Sequence, residues 1–273
     1  MIRQNLHMHT VFDDGKDTCR DMLQACLEAG MTSAGISLHS PMPFANDWTA
    51  EDTAPFLAEM ARQKEAFAGR LRVFTGIEMD VLSVDTVDGT PFDYVIGSVH
   101  HLPVRAIPPG VDHLPEVTAE LIAVDFAGDA DAAAEMYFSE LLRVAENPRM
   151  AVCGHFDLLT KFDEKHHFFN PESARYRRAA LRAMDALCDA GKIFEVNTGA
   201  ISRGWRTVPY PSRELLAELH RRRAKVTVSS DAHSSKAVAC AFPQAEALLR
   251  ACGFREIWVY GGEEGNGFYP AGL

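Results

Sequence analysis

The sequence predicts an α/β fold in which a parallel sheet alternates with helices along the whole chain. Short apolar runs rich in β-branched residues recur, and amphipathic stretches with helical spacing separate most of them. Such alternation implies a parallel sheet, either closed into a barrel or open and doubly wound. No Gly-x-Gly-x-x-Gly sequence follows the first run, which disfavours a dinucleotide-binding fold. With 273 residues, 47% of them hydrophobic, the chain suits a single domain spanning 1–273.

The strand predictions rest on short runs bounded by turn residues. The clearest are Phe92–Val99 and Lys225–Ser230, which are apolar and rich in β-branched side chains. The predicted strands cover residues 3–8, 32–38, 71–78, 93–99, 150–154, 192–197, 225–230 and 256–260.

The helix predictions rest on caps and on apolar spacing. Thr18-Cys19-Arg20-Asp21 is a capping box that opens a helix ending at Gly30. The other predicted helices cover residues 54–68, 130–146, 171–190, 212–223 and 236–252. Two long loops follow strands, 102–115 and 159–171, and loops in this position usually carry function.

Composition excludes several classes of protein. The 27 basic and 38 acidic residues give a net charge of -11, which argues against nucleic acid as the main partner. An anionic substrate remains compatible, because bound cations reverse the local potential. No window of 18 apolar residues exists and the first residues lack a signal peptide's apolar run, so we expect no membrane span. The six scattered cysteines form no Cys-x-x-Cys pair, which predicts reduced thiols in a cytoplasmic protein. The composition does not predict an oligomeric state.

Metal-ligand residue types cluster at the predicted strand ends. His7 and His9 alternate along the first strand, so both imidazoles face the same side and can reach one ion. The other strand-end or turn residues of this kind are Asp14, His39, Glu78, His100, His155, Asp231 and His233. A single strand-end histidine is more often a hydrogen-bonded structural residue than a ligand. Six histidines and three carboxylates on the carboxyl edge of one sheet instead predict a metal site with more than one ion.

These segments resemble the PHP (polymerase and histidinol phosphatase) superfamily of metal-dependent phosphoesterases. The matching segments, in the family's order, are residues 7–10, 13–15, 35–40, 76–78, 97–100, 154–157 and 230–233. The resemblance implies a distorted (β/α)7 barrel, similar to a TIM barrel, with the metal site at the C-terminal end of the strands. One of the eight predicted strands should therefore either fail to form or lie outside the barrel.

The resemblance also implies three metal positions. His7, His9, Glu78 and Asp231 would hold the first ion, and Glu78 would bridge to a second ion completed by His100 and His155. Asp14, His39 and His233 would hold the third. Imidazole and carboxylate ligands without thiolate favour zinc, manganese or iron over calcium. Leu38 departs from the acidic residue that often precedes the second-strand histidine in the family.

The family's chemistry implies metal-dependent hydrolysis of a phosphomonoester by direct attack of water, with Glu78 and Asp231 as catalytic metal ligands. His101 would be the acid for the leaving group, and a structural role for it is an equal alternative. The expected partner is a small phosphorylated substrate. Arg203 is the first candidate for binding its phosphate, with Lys161 and Ser202 as further candidates and Arg206 as a substitute for Arg203.

Residues 154–162, 194–204 and 210–212 resemble more narrowly the histidinol-phosphate phosphatase branch of the family, which implies L-histidinol phosphate as the substrate. Phe162, Phe168, Asp163 and Glu164 lie in a loop that could contact its ring and ammonium. Another phosphorylated metabolite, a nucleotide or a phosphodiester remains the main alternative. An amidohydrolase is disfavoured because Glu78 stands where such barrels usually carry a modified lysine. A non-catalytic metal-binding module is the remaining alternative.

Overall fold

Seven parallel strands form a nearly closed barrel in a computed structural model that describes residues 1–44, 49, 52–87, 89–262 and 267–273. The strands pair in chain order: β1 (Gln4–Asn5), β2 (Ser33–His39), β3 (Arg72–Asp80), β4 (Tyr94–Ser98), β5 (Met150–Cys153), β6 (Ile193–Asn197) and β7 (Lys225–Ser229). The main-chain N–H of His9 donates to the carbonyl of Ala232 at 2.9 Å, which brings the first and last strands together. The (β/α)7 barrel expected from the sequence is confirmed.

Helices cover the outside of the barrel and connect the strands. In chain order, the described helices are α1 (Cys19–Glu28), α2 (Ala54–Ala66), α3 (Pro115–Glu120), α4 (Ala130–Glu146), α5 (Asp163–His166), α6 (Ala174–Asp189), α7 (Gly199–Ser202), α8 (Arg213–Arg221) and α9 (Phe242–Cys252). Thr18 and Asp21 form the predicted capping box at the start of α1. None of the described helices is long and apolar enough to cross a bilayer.

The predicted start of the last helix was wrong. Residues 236–241 do not belong to α9, which begins at Phe242 with Pro243 in its first turn. Proline is tolerated only there, because it has no N–H to donate to a preceding turn. The predicted loops also contain short helices: α3 begins where the 102–115 loop ends, and α5 lies inside the 159–171 loop.

The eighth predicted strand lies outside the barrel, as expected. β8 (Glu256–Tyr260) pairs in antiparallel fashion with β9 (Phe268–Gly272), which the sequence reasoning missed. The side chain of Gln4 in β1 is hydrogen-bonded to this hairpin. Its Nε2 donates to the carbonyl of Tyr260 at 2.8 Å, and its Oε1 accepts from the Tyr260 N–H at 2.7 Å.

The N-terminal half of the barrel interior is filled by apolar side chains, chiefly from the starts of the strands. Tyr94 lies at the centre, and its hydroxyl donates to the carbonyl of Leu6 at 2.5 Å. Gly35 and Gly76 give it room: a Cβ atom at either position would lie 2.2 Å from the Tyr94 side chain. The cluster contains Leu6, Phe74, Tyr94, Ile96, Val152, Ile193 and Tyr260. With this end filled, polar side chains converge at the C-terminal ends of the strands.

Candidate metal centre

A cavity of about 320 Å³ opens at the C-terminal ends of the barrel strands. Seven of the nine predicted metal ligands line it, and the other two, His7 and His9, are fully buried and contact the lining carboxylates. The lining consists of Asp14, Lys16, His39, Glu78, His100, Asp112, His113, His155, Leu158, Lys161, Arg203, Asp231 and His233.

Glu78 on β3 lies at the centre of the cluster. One of its oxygens, Oε2, lies 3.1 Å from both His7 Nε2 and His39 Nδ1. The other, Oε1, lies 2.8 Å from His155 Nε2 and 3.2 Å from His100 Nε2. Burial opposes ionisation of this carboxyl, but the charges of the surrounding histidines hold its pKa well below its usual value. A carboxylate that directs its two oxygens at separate imidazole pairs has the geometry of a bridging ligand.

Asp231 follows β7 and faces the two histidines that follow β1. Its Oδ1 lies 3.5 Å from His9 Nε2 and 4.0 Å from His7 Nε2, while its Oδ2 accepts from Arg203 Nη2 at 2.9 Å. The residue that packs against this carboxylate must be glycine, because a Cβ atom at Gly199 would lie 2.7 Å from Asp231 Oδ2.

A third group lies at the open side of the cavity around Asp14. Its Oδ1 lies 3.1 Å from His233 Nε2 and 3.7 Å from His39 Nε2. The rings of His9 and His39 stack with centroids 4.0 Å apart. His9 can therefore contribute to this group as well as to the one with His7 and Asp231, a sharing that the sequence did not predict.

Carboxylates behind the histidines fix the orientation of the rings. Glu195 Oε1 lies 2.6 Å from His7 Nδ1, and Asp13 Oδ2 lies 2.8 Å from His9 Nδ1. Burial lowers the pKa of His9, but the carboxylate of Asp13 outweighs it and raises that pKa to about 10. Sequence reasoning gave neither carboxylate a role. Two features could have indicated these roles. Asp13 comes four residues after His9, and Glu195 lies in a fully buried strand, where a charged side chain needs a partner.

These side chains fit divalent cations. The Nε2 atoms of His7 and His9 are buried and accept or donate no hydrogen bond within the described residues, yet they face the carboxylates of Glu78 and Asp231. Since Nδ1 of each ring is engaged by a carboxylate, Nε2 is the ring nitrogen that is directed at the centre, as in histidine metal ligands. Four groups of three or more such residues bring their ligand atoms within 4.8 Å of one another.

The predicted substrate residues do not all reach the cavity. Arg203 and Lys161 line it, and Lys161 Nζ donates to the Asp112 carbonyl at 2.6 Å. Ser202 is exposed and its hydroxyl donates to the Gly199 carbonyl at 2.8 Å. His101 is buried beside Asp80, 3.3 Å from Nδ1 to Oδ2, and does not line the cavity. Arg206 instead contacts Thr160.

The specificity loop predicted at 159–171 is only partly at the cavity. Phe162 is fully buried and packs edge-on against Trp205, and Phe168 stacks on His166. Asp163 accepts from the main-chain N–H groups of its own loop, and neither phenylalanine lines the cavity.

Comparison with known proteins gives the family of this barrel and metal-ligand cluster. The PHP domain matches residues 5–199, and the chain belongs to that family. The chain is 31% identical to the "Probable histidinol-phosphatase" of Deinococcus radiodurans, over 92% of this chain and 94% of that protein. It is 27% identical to the "Probable histidinol-phosphatase" of Schizosaccharomyces pombe, over 90% of this chain and 85% of that protein.

A solved structure shares the fold. The histidinol phosphate phosphatase of Lactococcus lactis subsp. lactis, complexed with zinc, L-histidinol and phosphate, superposes with a TM-score of 0.71 at 19% identity, over 94% of this chain and 96% of that one. The two chains therefore share the barrel architecture.

Proposed function

We propose that this chain hydrolyses L-histidinol phosphate to L-histidinol and phosphate with three divalent cations. The observation that carries the proposal is Glu78, which stands between four imidazoles in a cavity that also presents Arg203 and Lys161. The names of the two curated relatives support this substrate, and the two alignments cover 90% and 92% of this chain. The six cysteines form no disulfide within the described residues, which is compatible with the predicted cytoplasmic location.

The proposed ligand assignment is the one that the family resemblance implies, and its ligand atoms belong to four overlapping groups. His7, His9, Glu78 and Asp231 would hold one ion, and Glu78 with His100 and His155 a second. Asp14, His39 and His233 would hold the third, with His9 within reach of it. When bound, such cations lower the pKa of a water molecule and neutralise charge on the phosphoryl oxygens. Zinc, manganese and iron all suit this donor set, and the Lactococcus protein contains zinc.

Arg203 would bind the phosphate after the site is loaded. A guanidinium only donates, so its Nη1 at 2.9 Å from His233 Nδ1 requires that nitrogen to accept. A neutral His233 that gives its Nε2 lone pair to a cation carries its hydrogen on Nδ1, where the Asp231 carbonyl at 3.0 Å accepts it. Arg203 Nη1 then loses its His233 acceptor and is available to a phosphate oxygen in the cavity, while Nη2 keeps Asp231 Oδ2 as its acceptor.

Lys161 would add a second positive charge to the phosphate side of the cavity. His101 lies against Asp80, whose carboxylate also accepts from the His100 N–H at 3.0 Å. Of the two roles left open by the sequence, this position favours the structural one, in which His101 and Asp80 hold the His100 backbone in place.

A phosphate-release assay tests the proposal. Metal-loaded protein is given L-histidinol phosphate and a panel of other phosphomonoesters, nucleotides and a phosphodiester. We expect the highest kcat/KM for L-histidinol phosphate, and at least a 1,000-fold loss in Glu78→Gln, because one change disrupts two cation positions. Glu116→Gln is the matched control, since Glu116 is an exposed carboxylate outside the cavity. A higher kcat/KM for another member of the panel would overturn the assignment of L-histidinol phosphate as the substrate. Unchanged activity of Glu78→Gln would overturn the metal-dependent mechanism.

A further inference from the structure

Asp112 is a cavity residue to which the proposed chemistry gives no role. It is held in place by its neighbours: the Val111 N–H donates to the His100 carbonyl at 2.8 Å, and the Thr118 hydroxyl donates to the Val111 carbonyl at 3.0 Å. Val111 and Thr118 are buried, so the chain before and after Asp112 is anchored in the core. The Asp112 side chain is 18% exposed and faces the cavity.

The charge of Asp112 is opposite to that of the surrounding wall. Among the described lining residues outside the proposed metal ligands, Asp112 carries the single carboxylate, beside three cationic side chains. These lining residues are Lys16, Asp112, His113, Leu158, Lys161 and Arg203. A phosphate needs the cations and is repelled by the carboxylate. The carboxylate therefore suits a different part of the substrate.

One oxygen of Asp112 has unused hydrogen-bonding capacity. Oδ2 accepts from Lys161 Nζ at 3.1 Å, whereas Oδ1 accepts no hydrogen bond from any residue in the described part of the chain. Burial opposes ionisation, but the charges of Lys161, His100 and His155 hold the pKa of Asp112 well below its usual value. Lys161 does not depend on the carboxylate alone, because its Nζ also donates to the main-chain carbonyl of Asp112 at 2.6 Å.

We infer that Asp112 Oδ1 accepts a hydrogen bond from the ammonium group of the substrate, which makes the cavity selective for phosphate esters of amino alcohols. This inference rests on the proposed function. In L-histidinol phosphate the ammonium is on the carbon next to the ester-bearing carbon, so a cation lies close to the phosphate. The cationic wall would bind the phosphate and Asp112 the ammonium, and an ester without an amine would leave that carboxylate unpaired.

The test compares two substrates that differ only in the amine: L-histidinol phosphate and 3-(imidazol-4-yl)propyl phosphate. With metal-loaded full-length protein, we expect the wild type to prefer the amine-bearing ester by about 10- to 100-fold in kcat/KM, the range of a hydrogen bond to a charged group. Asp112→Asn should lose most of this preference through a higher KM for L-histidinol phosphate, with less than about threefold change for the des-amino ester. Glu116→Gln, which removes a charge from the same segment outside the cavity, should keep the preference.

Each outcome separates the inference from the proposed function. Equal losses for both esters in Asp112→Asn would overturn the inference, because they would mean that Asp112 only positions Lys161. Equal hydrolysis of both esters by the wild type would also overturn it, and this result decides the matter even if the variant does not fold. If the wild type hydrolyses neither ester, the proposed function fails and the inference fails with it.

Discussion

His7 and His9 are oriented by one hydrogen bond each, made on the side of the ring that faces away from the centre. A carboxylate can only accept, so the 2.6 Å contact of Glu195 with His7 fixes the ring hydrogen on Nδ1. Asp13 does the same for His9 at 2.8 Å. This leaves Nε2 of both rings as the ligand atom and makes the imidazole a stronger donor to a cation.

Glu195→Gln tests the role of this outer carboxylate. Glu195 also accepts from the His155 N–H at 2.9 Å, so one residue supports ligands in two groups. We expect zinc affinity to fall about 10- to 100-fold, because the His7 ring loses its charged partner. Chelator competition with purified protein measures the change, with Glu116→Gln as the control. Unchanged affinity would show that the ring is oriented by packing alone.

Asp163 gives the molecule a pH dependence that is separate from the metal site. Burial raises the pKa of its carboxyl from 3.8 to about 6, despite hydrogen bonds from the Phe169 and Phe168 N–H groups. The folded state therefore binds this proton more tightly than the unfolded chain does. Stability should fall as the pH rises from about 4 to about 6, with the full penalty above that range.

Asp163→Asn removes this titration. Relative to the variant, the wild type should gain about 1–3 kcal/mol in free energy of unfolding as the pH falls from about 7 to about 4.5. Urea unfolding of both proteins across this range measures the difference, and metal loss at low pH affects both equally. A constant difference between the two proteins would contradict the assigned pKa.

At the scale of elements, the Tyr94 side chain determines which residues the neighbouring strands can carry where they pass it. Tyr94 on β4 occupies the interior next to β2 and β3, and Gly35 and Gly76 let those strands approach it. Alternation along a strand can be predicted from sequence, but which glycine faces which aromatic ring depends on the register between strands. The register pairs Gly35 with Phe74 and Gly76 with Tyr94.

Gly35→Ala should destabilise the fold by about 1–3 kcal/mol, because the new Cβ atom would lie 2.2 Å from the Tyr94 hydroxyl. The cost should be smaller in a Tyr94→Phe background, which removes that oxygen, and a double-mutant cycle by urea unfolding measures the coupling. Equal costs in both backgrounds would mean that the strand moves away instead of meeting the ring.

The elements that sequence predicted least well are the short ones. α3, α5 and α7 have four to six residues each, too few for a helical apolar pattern to emerge. β9 was not predicted because Pro270 and Gly272 are unfavourable in strands. It forms as the second strand of a two-stranded hairpin outside the barrel. Most of the long elements, which repeat their pattern over several turns or a whole strand, were predicted within a few residues, and the exception is α9, whose predicted start was six residues too early.

At the scale of the whole molecule, the parallel barrel explains why the site was predictable. Residues as distant as His7 and His233 follow strands whose carboxyl ends meet at one edge, so strand-end histidines and acids must come together. Sequence could not give the partners behind the ligands, such as Glu195 with His7, or the position of Asp112 beside Lys161. Those contacts depend on side-chain directions and on the path of the loop before α3, which no local pattern specifies.

The metal-to-protein ratio tests the central claim most directly. Protein purified without chelator, loaded with zinc or manganese and freed of excess metal is analysed by inductively coupled plasma mass spectrometry, together with Glu78→Gln. We expect about three ions per chain for the wild type and at least one fewer for the variant, because Glu78 belongs to two of the contact groups. A wild-type chain that retains no divalent ion, or a ratio that Glu78→Gln leaves unchanged, would contradict the account.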